Sequence, residues 1–155
     1  MPDPQYATER TRQFRQTELS EFNKKKIKDI EEFGCQVLHV GRTCQDDLSF
    51  AYTVGIYDTC GHPELIEVGL PQETAHSLLN DAAARLRRGV DLSHGRHADL
   101  LSNVECEFRP VDPKWVKRLM YGATWFYRET EYPVLQVVYP DLENCKLVTA
   151  NWCKL

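Results

Sequence analysis

The stretch Phe50–Pro71, FAYTVGIYDTCGHPELIEVGLP, constrains the fold of this chain more than any other. Phe50, Tyr52, Val54 and Ile56 alternate with Ala51, Thr53, Gly55 and Tyr57, which is the period-two pattern of a strand over 50–57. A second strand over 64–69 sets Ile66 and Val68 against Leu65 and Glu67. Roughly six residues lie between the two, too few for a crossover, so the strands should pair antiparallel. Gly55 leaves one strand face bare, which suits a bulge or the close approach of another group. Pro71 suits the first turn of a helix, and Glu73 complements the positive end of its dipole. Ala75, Leu78, Leu79, Ala82, Ala83 and Leu86 then keep the helical period, and Arg85, Arg87 and Arg88 load the last turn before Gly89. There, cations offset the dipole without any need for a phosphate ligand.

The remaining segments extend this into an α+β pattern. Residues 1–16 read as a flexible N-terminal arm with Tyr6 and Phe14 as its apolar anchors, and residues 17–155 as a single domain. A helix should run from Thr17 or Ser20 to Phe33, with Leu19, Phe22, Ile27, Ile30 and Phe33 near one face and Lys24, Lys25, Lys26 and Lys28 on the wetter side. Strands are predicted over 35–40, 104–111 and 134–139. The 104–111 strand has Val104, Cys106 and Phe108 inward and Glu105, Glu107 and Arg109 outward. Residues 41–47 and 91–103 read as loops, and Asp112-Pro113 as the cap and first residue of a third helix reaching Gly122, with Trp115, Val116, Leu119 and Met120 inward. The expected fold is a mainly antiparallel sheet of about five strands with three helices on one face.

Composition narrows the function. At 155 residues the chain fits one domain with a real core. A net charge of −4 opposes a nucleic-acid role, which needs a concentrated basic surface. No apolar run at the start reads as a signal peptide or membrane anchor, so a cytoplasmic location is expected. The six cysteines, at 35, 44, 60, 106, 145 and 153, form no CxxC pair, and free thiols are expected.

The series 52-YTVGIY-57, Gly61, 63-PELIEVGLP-71 and 135-LQVVYPD-141, around an alanine- and leucine-rich helix, resembles the bacterial domain-of-unknown-function family 4262. The likeness covers roughly residues 30–142. It implies a small bacterial cytosolic domain and carries no established reaction, cofactor or catalytic residue. The tail, 142-LENCKLVTANWCKL-155, departs from the family's usual ending, with only Trp152 in common.

The loop 58–64 gathers the reactive side chains. Cys60 and His62, beside Asp58 and Glu64, set a thiol near an imidazole able to activate it, against the expectation that such dyads meet from separate elements. Cys60, His62, His94 and His97, with Cys44, carry donors for a metal, although no spacing demands one, and surface histidines are the plainer reading. Glu64 and Glu67 stand on a strand where burial raises a carboxyl toward general-base use, or where the carboxylate caps nearby backbone or pairs with Arg118 or Arg128. Trp115, Tyr121, Trp125, Phe126, Tyr127 and Tyr132 form an aromatic group, and three consecutive aromatics at 125–127 cannot all point inward.

The expected function is a non-catalytic module that binds another protein, of the immunity or antitoxin type, without a cofactor. Tyr57, Asp58, Cys60, His62, Glu64, Trp125 and Tyr127 are the candidate contact residues. The competing class is a small enzyme or a small-molecule or metal sensor, with a pocket between the 58–64 loop and the 121–132 aromatic segment.

Overall fold

The computed structural model describes residues 3–41, 49–95, 97–101, 104–128 and 130–138. The readings made on Cys44, on the 41–47 loop beyond Gly41, on Pro140-Asp141 and on the tail with Trp152 lie outside these residues. Along the chain run α1 (Glu9–Arg15), α2 (Glu21–Phe33), β1 (Gln36–Val40), β2 (Phe50–Val54), α3 (Ile56–Cys60), β3 (Glu64–Val68), α4 (Gln72–Arg87), β4 (His97–Leu101), β5 (Val104–Pro110), α5 (Pro113–Leu119), α6 (Tyr121–Tyr127) and β6 (Val134–Val138). The strands form one sheet in the order β1-β2-β3-β6-β5-β4.

The α+β domain is as expected, with two differences in its layout. The sheet is mixed, because β6 enters beside β3 in parallel, Glu64 opposite Val134, while the other neighbours are antiparallel. The described helices number six rather than three, and they cover both faces rather than one. Ile27 and Ile30 of α2, Trp115 and Leu119 of α5 and Phe126 of α6 pack with Phe50, Tyr52, Ile66 and Val68. On the opposite face α4 lays Leu78, Leu79, Ala82 and Leu86 against Ala51, Leu65, Leu135 and Val137. Each fully buried leucine there contributes about 1.5–3 kcal/mol. Covering both faces is why every residue of β2, β3 and β6 is buried.

Local corrections have local causes. The strand expected over 50–57 stops at Val54, because Gly55 turns left-handed (φ 111°) and opens α3. A Cβ at Gly55 would lie 2.9 Å from Ile30 Cγ2, so the glycine serves close approach to α2. The loop read over 91–103 contains β4, paired with β5 at His97–Cys106. The third helix breaks at Met120 (φ −96°, ψ 61°) and resumes as α6, which holds the three consecutive aromatics at 125–127. Phe126 and Tyr127 are buried and Trp125 is half-buried.

At the N-terminus, residues 9–15 form a helix that the sequence reading did not assign. Thr8 caps it through a reciprocal pair with Thr11, and Phe14 enters the core. Thr11 donates to Glu31 at 2.9 Å, and Arg15 pairs with the same buried carboxylate at 3.1 Å, tying α1 to α2. Helix α2 starts after its Ser20 cap and ends at the left-handed Gly34. Ile27 and Ile30 point inward as predicted, but Phe22 and Phe33 are exposed and Lys26 is buried. Among the described residues, no helix is long and apolar enough to cross a membrane.

Candidate functional site

Glu64 is the centre of the hydrogen-bond geometry around α3, where its carboxylate is wholly buried at the start of β3. Five donors converge on it. Thr53 Oγ1–H reaches Oε1 at 2.8 Å, and the backbone N–H groups of Gly55, Ile56 and Tyr57 reach the two oxygens at 2.9, 3.2 and 3.1 Å. The Tyr127 hydroxyl donates to Oε2. Three of these donors are the otherwise unpaired amides that open α3, so the carboxylate satisfies a helix start that no side chain within α3 caps. Burial pushes the Glu64 carboxyl up, while the hydrogen bonds from Tyr127, Thr53 and the backbone pull it down without cancelling the burial effect. Burial, together with the neighbouring Glu64 charge, drives the Tyr127 phenol far upward, so it remains a protonated donor.

Of the readings offered for Glu64, the backbone-capping one describes its contacts. Neither Arg118 nor Arg128 pairs with it among the described residues. Glu67, two residues on, accepts the Leu70 N–H at 2.8 Å.

Asp58 continues the network outward. Its N–H donates to Tyr127 Oη at 3.2 Å, and its carboxylate accepts from the Thr8 hydroxyl and faces Arg10 Nε at 3.5 Å. Arg10 also lies over the Phe126 and Tyr127 rings, at 5.8 and 5.3 Å from their centroids. At the junction of loop and aromatic segment, Tyr127 contacts both Glu64 and Asp58 directly.

The other sequence candidates separate. Cys60 is half-buried beside the Thr59 hydroxyl (3.4 Å), and His62 Nδ1 lies 3.0 Å from its neighbour's Pro63 carbonyl. No hydrogen bond joins Cys60 and His62 among the described residues. His94 faces Asp91 at 3.8 Å, and His97 packs on Phe108 with centroids 5.7 Å apart. Among the described residues no three His, Cys, Asp or Glu side chains are grouped to hold a metal ion. Tyr57 is 37% exposed and meets Tyr127 edge-on.

A second cluster, missed by the sequence reading, surrounds Lys26. Its Nζ lies 4.7 Å from the Trp125 ring centroid and 5.0 Å from that of Phe22, with no carboxylate partner among the described residues. Burial lowers the pKa of this amine. Beside it, Tyr52 Oη accepts the Gly122 N–H at 2.9 Å, and a side chain at 122 would collide with Leu38, Tyr52 and Lys26. Phe22 is 61% exposed, and Tyr121, one turn before Trp125 on α6, is 72% exposed. Its signal in the sequence was the unplaceable aromatic run at 125–127.

No curated protein and no solved structure matches this chain. The family model described as Domain of unknown function (DUF4262) matches residues 29–145. That span holds Thr53, Gly55, Glu64 and Tyr127, and leaves α1 and Phe22 before it. The chain belongs to this family of unknown function.

Proposed function

We propose that this protein is a non-catalytic module of the bacterial cytosol that binds and inhibits a partner protein, in the manner of an immunity protein or antitoxin. The observation that carries this reading is the aromatic face of α2 and α6. Phe22 and Tyr121 are exposed, and the half-buried Trp125 lies one turn after Tyr121 on α6 and shares the Lys26 amine with the Phe22 ring. Exposed aromatics of this size, held on rigid helices around a packed third ring, are the residue types that anchor protein interfaces. Glu64, considered first for general-base use, and the candidate contact residues Tyr127 and Asp58 are engaged within the fold. Glu64 holds the α3 amides, Tyr127 holds Glu64 and Asp58, and Asp58 holds Thr8 and Arg10.

The test is co-purification of the full chain from its source organism, followed by reconstitution with the purified partner. A one-to-one complex is expected in native mass spectrometry. The double variant Phe22→Ala/Tyr121→Ala should weaken it by about 100-fold or more, as loss of two interface anchors does, with an unchanged melting temperature. A chain that retains no protein, or a double variant that binds as tightly as wild type, overturns the proposal.

A further inference from the structure

A groove of about 750 Å³ opens between α5, α6 and residues 130–133, lined by Val116, Lys117, Thr124, Arg128, Tyr132 and Pro133 among others. Its volume is that of a small-molecule site. The wall is apolar where Val116 and the ring of Tyr132 meet two prolines, Pro113 and Pro133. Thr124 Oγ1 and Tyr132 Oη sit 2.9 Å apart on that wall, supplying hydroxyls at one point of it. Among the described lining residues, Lys117 and Arg128 stand with Glu131 at the border of the groove. Among the described residues, neither cation has a carboxylate within ion-pair distance.

Arg128 adds an independent observation. It is the one non-glycine described residue at positive φ (57°, with ψ −124°), a conformation that glycine would adopt without strain. Its guanidinium lies 4.7 Å from the Phe14 ring centroid, so the strained backbone and the ring together fix where the charge stands. A glycine would be the less strained residue here, and the chain instead keeps a planar cation whose fork suits carboxylate and phosphate groups.

We propose that this groove binds a small amphiphilic anion, a carboxylate or phosphate on an apolar body, with Arg128 and Lys117 on the anion and Val116, Tyr132 and Pro133 on the body. The site is separate from the Phe22–Tyr121 anchors, so either proposal can fail alone.

The test is calorimetric titration of the full chain with octanoate, octyl phosphate and uncharged octanamide. Saturable one-site binding is expected for at least one anion, about tenfold or more tighter than octanamide, the ratio of one modest ion pair; the tighter anion identifies the headgroup. Arg128→Gly, which relieves the backbone, and Lys117→Gln, on the exposed face of α5, should each weaken that binding by about tenfold or more. The absence of saturable anion binding, equal binding of octanamide, or unchanged affinity in either variant overturns the proposal.

Discussion

Replacing Tyr127 by Phe removes one oxygen and leaves the ring packing intact, so it isolates the hydrogen-bond hub at Glu64. The hydroxyl donates to Glu64 Oε2 and accepts the Asp58 N–H at 3.2 Å, and both bonds disappear together. A hydrogen bond to a charged group contributes about 1.5–3 kcal/mol, and a part-buried amide left without an acceptor adds about 1 kcal/mol to the loss. The expected destabilisation is about 2–4 kcal/mol, read as a shift in the urea midpoint at unchanged slope. Its pH dependence has a definite sign. The Tyr127 bond lowers a Glu64 pKa that burial holds above its ordinary value, so the variant's folded-state pKa rises further. A raised folded pKa contributes stability below the unfolded pKa that is lost as pH rises through the folded value. Tyr127→Phe should therefore cost more at pH 8 than at pH 5. Amide exchange should accelerate first at residues 55–60, whose helix start depends on the same carboxylate. A loss below about 0.5 kcal/mol, or a larger loss at the lower pH, would refute the hub.

Three further outcomes follow from the packing. Leu79→Ala, at a fully buried position of α4, should cost about 2–5 kcal/mol in a denaturant titration. Gly55→Ala places a Cβ 2.9 Å from Ile30 Cγ2 at φ 111°, and should cost about 1–3 kcal/mol from backbone strain alone, measured the same way. Burial pushes the Cys35 thiol up to about 12, so in the folded chain at pH 8 it should resist iodoacetamide, and peptide mapping should find Cys60 alkylated before it.

Much of this fold is legible in the residues, and the exceptions share a cause. Helix α4 and strand β5 carry one clean period each, and their buried residues match it: Leu78, Leu79, Ala82, Cys106 and Phe108. Helix α3 was not visible, because its start is stabilised by Glu64, several residues away across the β2–β3 connection. Strand β4 is short, and HADLL offers no alternation to read. In α2, Ile27 and Ile30 set the inward line, and helical spacing alone would leave Lys26 beside it in water. The α6 ring of Trp125 covers it instead, a contact between segments nearly a hundred positions apart in sequence. The second helical layer was likewise hidden, because a fully buried strand such as β6 reads the same whichever helices cover it. As for the site, Glu64 was picked out from its place on a buried strand. Its partner Tyr127 was named as a contact residue, yet nothing in the spacing joined the two.

The most direct test of the functional account is hydrogen exchange of the co-purified complex against the free chain. The account predicts new protection concentrated on residues 20–28 and 120–127, the segments carrying Phe22, Tyr121 and Trp125. Protection confined to residues 56–63, with those helices exchanging as in the free chain, would contradict it.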